Sequence, residues 1–248
     1  VALSLKDFAM LGTPHESAEH FSELRRALVE DLSADGRIHD RRVLAAITAV
    51  PREEFVPQKL RSLAYTDQAL PIACGQTISQ PYTVAFMCQA LKLRGGERVL
   101  EVGTGSGYGA AVLSLLAAEV VTVERIEFLA STAAERLVNL GYYNVQVHTT
   151  DGTLGWPAGA PYDAIVVTAA AAMLPPAYLE QVKEGGQIVM PVGRLASGQT
   201  MCRFTRRGDE AVVEELGSFA FVPLIGEHGW TNSQVASDKL RSPSQDRV

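Results

Sequence analysis

The feature that most constrains this chain is a short apolar run ending in an acid and a glycine-rich turn. Arg98-Val99-Leu100-Glu101-Val102 reads as a β-strand, and Gly103-Thr104-Gly105-Ser106-Gly107-Tyr108-Gly109 follows it. The residues after the turn, about 110–118, read as a helix. Glycines at this spacing let the backbone take φ > 0 and approach a ligand closely. A helix opening there presents free N–H groups and the positive end of its dipole. Downstream the pattern alternates: strand 120–123, helix 128–140, strand 145–148, strand 164–168, helix 176–183, strand 187–190, then strands 201–205 and 212–216. Such alternation predicts an α/β, doubly wound, mostly parallel sheet, whose ligands bind at the carboxyl ends of the strands.

Upstream, Phe21, Leu24, Leu28 and Leu32 recur at helical spacing, and Asp35-Gly36 ends that helix. A second helix, 40–50, carries Val43, Leu44 and Ile47 on one face and stops at Pro51. Residues 70–81 read as a long loop, and Pro81 suits the first turn of a helix over 82–91. The first twenty residues read as an extension, 21–230 as one domain, and 231–248 as a flexible polar tail. Within the domain, 21–92 is the helical and substrate-loop part and 93–230 the cofactor-binding α/β part. With 248 residues, 47% of them hydrophobic and 20% charged, the chain supports a sizeable core and is not wholly disordered. A net charge of −6 argues against a general nucleic-acid binder. Cys74, Cys88 and Cys202 form no CxxC pair, and the five histidines form no HExxH pattern, so neither a disulfide framework nor a metal site is expected. Cys74 and Cys88 read as small packing residues. No leader and no bilayer-length apolar run is visible, which leads to the expectation of a soluble cytoplasmic protein.

Two cofactors compete for the glycine turn. A dinucleotide fingerprint can be laid over Gly105 to Ala110, but it starts two residues late relative to the strand end. The alternative is S-adenosylmethionine. Glu101, two residues before the first glycine, would complement its positive methionine portion. Glu124, at the end of the next strand, would hydrogen-bond ribose hydroxyls, and Asp151-Gly152 after the third strand would meet the adenine amino group. Taken singly, Glu124 is an ordinary solvated acid and Asp151 an ordinary cap or turn residue. Their joint placement at three successive strand ends is what points to a nucleotide-type cofactor.

Several ordered motifs then carry a family likeness. They are Pro51-Arg52-Glu53-Glu54-Phe55-Val56-Pro57, Ala64-Tyr65-Thr66-Asp67, Gly75-Gln76-Thr77-Ile78-Ser79-Gln80-Pro81-Tyr82, the glycine turn itself, Tyr162-Asp163-Ala164-Ile165-Val166-Val167-Thr168, Gly185-Gly186-Gln187-Ile188-Val189-Met190-Pro191 and Val222-Pro223-Leu224-Ile225-Gly226. Over about 21–230 the chain resembles protein-L-isoaspartate (D-aspartate) O-methyltransferases. It departs from the family's usual Gly-His at Ala73-Cys74, from Gln at Gly109 and from Gly at Thr150. The resemblance implies a Rossmann-like methyltransferase fold with an added N-terminal helical segment. It also implies methyl transfer from S-adenosyl-L-methionine, leaving S-adenosyl-L-homocysteine, to the α-carboxylate of isoaspartyl residues in damaged proteins, by a monomeric cytoplasmic enzyme. Carried over residue by residue, the active-site residue is Ser79, and the substrate-binding residues are Thr77, Ile78, Ser79, Val222 and Leu224. The cofactor-binding residues are Gln76, Glu101, Gly103, Thr104, Gly105, Ser106, Gly107, Glu124, Arg125, Asp151 and Gly152.

The chemistry needs little acid or base help, because a carboxylate with a pKa of about 3.5 is already ionised at neutral pH. No GxSxG elbow surrounds Ser79, so its expected role is orientation of the substrate, not nucleophilic attack. Three other readings stay open from the sequence. They are a methyltransferase acting on another carboxylate or hydroxyl, a nicotinamide-dependent oxidoreductase, and a binding module that has lost its chemistry.

Overall fold

The computed structural model describes residues 17–194 and 198–240, the last four as backbone only. The chain opens with helix α1 (Ala18–Ala34), which begins three residues before the apolar periodicity suggests. Ser17 sets that start by accepting a hydrogen bond from His20 N at 3.1 Å. Helix α2 (Arg41–Ala49) is capped by Asp40, whose carboxylate accepts from Arg42 N and Val43 N.

The predicted loop over 70–81 is a small hairpin. Strand β1 (Leu70–Pro71) pairs antiparallel with β2 (Thr77–Ile78), and a tight turn over Ala73–Gly75 joins them. Cys74 takes φ 56° in that turn, which a sequence pattern for strands does not signal. Helix α3 (Pro81–Ala90) follows at once, with Pro81 in its first turn.

The sheet then builds from its centre. The elements are β3 (Arg98–Val102), α4 (Tyr108–Ser114), β4 (Glu119–Glu124), α5 (Glu127–Asn139), β5 (Val145–Thr149), β6 (Tyr162–Val167), α6 (Pro176–Gln181), β7 (Val182–Val192), β8 (Gln199–Arg207) and β9 (Glu210–Phe219). Helix α4 is shorter than predicted because Asn144 Nδ2 donates to the carbonyl of Ser114 at 2.9 Å and so ends the helix from outside. The seven strands lie in the order β5-β4-β3-β6-β7-β8-β9. Pairs among β5, β4, β3, β6 and β7 are parallel, and β7–β8 and β8–β9 are antiparallel. This is the doubly wound Rossmann-like arrangement, with its switch point between β3 and β6.

Alternation along β3 divides the core. Val99 faces a cluster that includes Phe21, Leu28, Ile47, Phe55, Ala85, Val112 and Val189, so α1 to α4 pack on that face. Leu100 and Val102 face the other cluster, with Val123, Tyr162, Tyr178 and Met190. After β9 the chain crosses the strand ends and forms α7 (Asn232–Leu240), where the sequence reading expects an irregular tail. The reason is a reciprocal cap: Thr231 N donates to Gln234 Oε1 at 2.8 Å, and Gln234 N donates to Thr231 Oγ1 at 3.2 Å. Residues 1–16 of the predicted extension and 241–248 of the predicted tail lie outside the described residues. Among the described residues no helix is long and apolar enough to cross a membrane.

Candidate active site

One cavity opens at the carboxyl ends of β3, β4 and β6, and three segments wall it. The first is the glycine turn. Gly103 N and Thr104 N donate to Val123 O at 2.8 and 3.3 Å, and Gly105 N donates to Glu124 Oε2 at 3.0 Å. Arg136 reaches across from α5 to the Ser106 carbonyl at 2.7 Å. On the other side Thr168 Oγ1 donates to the carbonyls of Val102 (3.1 Å) and Gly103 (2.9 Å). Gly103 has φ 99°, and a Cβ there would stand 2.3 Å from Thr168 Oγ1, so only glycine fits without displacement.

Glu101 sits on this wall, 1% exposed. Its Oε2 accepts from Thr122 Oγ1 at 2.6 Å, and no cation pairs with it among the described residues. Burial raises its pKa from the usual 4.5 to about 8, and the nearby Glu124 charge adds to the rise, while the Thr122 hydroxyl opposes it. The carboxylate packs directly on Gly109, where a Cβ would stand 2.3 Å from Glu101 Oε1. Gly109, a departure from the resembled family's usual glutamine, therefore makes the room that this carboxylate occupies. Glu124 accepts from Gly105 N and from Ile126 N, which leaves acceptor capacity on both oxygens.

The second wall is the hairpin and the start of α3. Gln76, Thr77, Ile78 and Ser79 all line the cavity. Ile72 N donates to Gln76 O at 2.9 Å, and Gln76 Nε2 turns back to the Cys74 carbonyl at 3.3 Å. Ser79 is half-buried, and its hydroxyl has no partner among the described residues. Asp67 fixes the helix that follows, accepting from Tyr82 N at 2.8 Å. Cys74 is exposed, which corrects its reading as a packing residue; Cys88 is buried as read.

The third wall is the segment from Ala220 to Ile225, with Val222 and Leu224 among its lining residues. Its backbone exchanges bonds with Ala170: Ala170 N donates to Val222 O and Leu224 N to Ala170 O, both at 2.8 Å. Trp230 Nε1 donates to the Ala170 carbonyl at 3.0 Å.

Two of the expected cofactor residues stand off the cavity wall. Asp151 is not among the lining residues, and its carboxylate accepts from Thr153 N (2.9 Å), Thr153 Oγ1 (2.7 Å) and Glu227 N (2.8 Å). It fastens the 222–230 segment to the end of β5, and its neighbour Gly152 lines the cavity instead. Gly107 faces α5, where a Cβ would meet Ala133 and Leu137 at 3.3–3.4 Å, so it serves helix packing. The other expected residues, Thr104, Ser106 and Arg125 included, line the cavity. The sequence reading did not assign Thr83, Tyr108, Gly109, Thr168, Phe221, Pro223 or Ile225, which also line it. Tyr108, Gly109, Pro223 and Ile225 lie inside the quoted motifs and Thr168 ends the predicted strand 164–168, whereas Thr83 and Phe221 carry no such signal.

The donor set fits an adenosyl sulfonium ligand: a buried acid without a cation, a glycine cradle that a Cβ would fill, and a second acid at the next strand end. Solved structures carry the same architecture. A protein-L-isoaspartate O-methyltransferase aligns with TM-score 0.74 and 31% identity, covering 82% of this chain and 66% of the other. A Plasmodium falciparum structure assigned to that family, in complex with S-adenosyl-L-homocysteine, aligns with TM-score 0.70 at 23% identity over 81% of this chain and 98% of the other. Fold and site together define an S-adenosylmethionine-dependent methyltransferase.

The family is narrower still. Residues 23–229 match the model of the protein-L-isoaspartate(D-aspartate) O-methyltransferases. The protein-L-isoaspartate O-methyltransferase of Rhodopseudomonas palustris (strain CGA009) is 51% identical over 215 residues, 86% of this chain and 99% of the relative. That of Dictyoglomus thermophilum is 50% identical over 224 residues, 90% and 99% respectively. The chain belongs to the protein-L-isoaspartate(D-aspartate) O-methyltransferase family.

Proposed function

We propose that this chain transfers the methyl group of S-adenosylmethionine to the α-carboxylate of L-isoaspartyl residues in damaged proteins, which starts their repair. The observation that carries the reading is that Ser79 and Glu101, from segments 22 residues apart in sequence, line one cavity. When bound, the cofactor supplies an electrophilic methyl group on a sulfonium.

The protein's own residues hold and orient. Glu101, Glu124 and the glycine turn would hold the cofactor, with Gln76, Thr104, Ser106, Arg125 and Gly152 around it. Its positive charge favours the ionised form of Glu101. Ser79 donates to the substrate carboxylate, and Thr77, Ile78, Val222 and Leu224 close around it. Arg125, at the end of β4, is the only basic side chain among the lining residues. Neutral donors at the hairpin end hold a carboxylate without quenching the charge it must use as a nucleophile. The apolar wall of Ile78, Val222 and Leu224 removes part of its water, and fixed placement supplies the in-line geometry.

Repair of intracellular proteins by a monomeric enzyme in the cytoplasm, with no nucleic-acid partner, goes with this reading. The test is methyl transfer from labelled S-adenosylmethionine to an isoaspartyl peptide and its aspartyl twin. Label on the isoaspartyl peptide alone is expected. Equal label on both, or on neither while S-adenosylhomocysteine still binds, would discard the substrate and leave the cofactor.

A further inference from the structure

Thr83 is the third residue of α3, one turn beyond Ser79, and its side chain lines the same cavity. It is 7% exposed. Its hydroxyl has no hydrogen-bond partner among the described residues, which sets it apart from comparable threonines. Buried Thr104 and Thr122 bond each other at 2.7 Å, Thr122 also donates to Glu101, and buried Thr153 donates to Asp151 at 2.7 Å. Threonines inside a helix can spend the hydroxyl on the carbonyl four residues back. Thr48 does so to Leu44 O at 2.8 Å and Thr132 to Phe128 O at 2.7 Å. Thr83 makes no such bond; its residue four back, Ser79, lies ahead of the helix. Its hydroxyl is not sealed off in the core but opens on the cavity that Thr83 lines, which is a physical reason to look for its partner in a bound ligand.

The surroundings give the reason a sign. The ten-residue helix α3 directs its N-terminus at this end of the cavity, and its capping residue Gln80 makes no side-chain bond to the first turn. Asp67 takes only the Tyr82 amide. The helix end favours an anion. The basic side chain of the cavity wall, Arg125, belongs to the opposite side, beside the glycine turn. An anion bound here must therefore be gripped by uncharged donors.

We propose that Thr83 is a second hydroxyl donor to a bound carboxylate, acting beside Ser79. The assignment rests on the methyltransferase reading above, which brings two carboxylates to the cavity: that of the isoaspartyl substrate and that of the cofactor's methionine portion. Thr83 serves one of them.

The test uses the full chain with Thr83→Val, which keeps the shape and removes the hydroxyl, and Thr83→Ser, which restores it. S-adenosylhomocysteine is titrated calorimetrically into each protein. An isoaspartyl peptide is then titrated into each protein–S-adenosylhomocysteine complex. Thr83→Val is expected to weaken one of the two ligands about tenfold or more while the other stays within about twofold. Weakened peptide identifies the substrate carboxylate, and weakened S-adenosylhomocysteine identifies the cofactor's. Thr83→Ser should recover most of the loss, and Thr83→Val should melt no lower than the wild type, because it deletes a hydroxyl that bonds nothing in the protein. Unchanged affinity for both ligands overturns the proposal. So does an equal loss for both with a lower melting temperature, which marks a packing role. If the wild type binds no isoaspartyl peptide, the substrate reading falls by itself, and Thr83 is judged by S-adenosylhomocysteine alone.

Discussion

The two main walls of the cavity are held in opposite ways. The glycine turn hangs from the central strand β3 and is bonded from β4, from α5 and from Thr168 beyond β6. The hairpin facing it consists of two strands of two residues each, joined by a turn in which exposed Cys74 takes φ 56°. Asp67 is the side chain that pins the start of α3 behind it. The stiff wall meets the ligand that is the same in every turnover. The lightly held wall meets a polypeptide whose neighbouring residues differ from one damaged site to the next. The constant ligand meets backbone bonded from several elements, and the variable partner meets a short hairpin that bonds mainly within itself and is seated by Leu70 and Ile78 in the core.

The sharpest way to break that contrast is to disturb the stiff wall. Gly103→Ala combines an unfavourable φ with a Cβ 2.3 Å from Thr168 Oγ1. Affinity for S-adenosylhomocysteine, read by calorimetry, should fall by about 100-fold or more. Ser79→Ala acts on the other wall alone. Turnover efficiency on an isoaspartyl peptide should drop about 10- to 100-fold while S-adenosylhomocysteine binds within about threefold of wild type. A large loss of cofactor binding would contradict the division between the walls.

Asp67→Ala tests how lightly the second wall is held. Loss of one carboxylate cap at a helix start is worth about 1 kcal/mol, so KM for the peptide should rise about fivefold, with Asp67→Asn recovering part of it. A KM unchanged by Asp67→Ala would mean that the hairpin needs no support from outside.

The remaining test concerns Glu101 and is read as a slope with pH. Its folded pKa of about 8 lies above the ordinary 4.5, so between those values the folded protein holds a proton that the unfolded chain has released. The contribution of this group to stability therefore falls as pH rises through that window and levels off above it. Glu101→Gln should remove this slope, and its stability advantage over wild type in denaturant titrations should widen from about pH 5 to about pH 8. The cofactor's sulfonium favours the ionised form, so S-adenosylmethionine binding near neutral pH should release up to about one proton in wild type and less in Glu101→Gln, and S-adenosylhomocysteine, which lacks the sulfonium, should release less. Calorimetry in buffers of different ionisation enthalpy reads that difference.

The same contrast explains what the sequence makes legible. Strand β3 falls on its predicted bounds, and β4 and α5 fall within a residue or so of theirs, because continuous apolar runs and a glycine turn are local signals. The hairpin is not legible, because two-residue strands carry no periodicity and their register depends on the cavity they border. Thr83 shows only as a helical residue in sequence; its missing bond exists only in three dimensions. Asp151 sits where an adenine-site acid is expected, and its carboxylate also accepts from the amide of Glu227, 76 residues on, which no spacing rule reports. Helix α7 was legible in principle, since Thr231 and Gln234 have capping-box spacing, but a polar composition outweighed the pair.

Helices α1 to α3 and the β3 face of the sheet contribute side chains to one continuous cluster, from Phe21 and Leu28 through Ala85 to Val112, Val166 and Val189. The part of the chain that meets the substrate is therefore not an interchangeable module. Grafted onto another methyltransferase sheet, it would leave behind the apolar floor on which α3 rests, and with it the placement of Ser79. New acceptor specificity in this scaffold has to arise by exchange of residues on the hairpin surface, because the segment that carries the hairpin folds only together with the sheet beneath it.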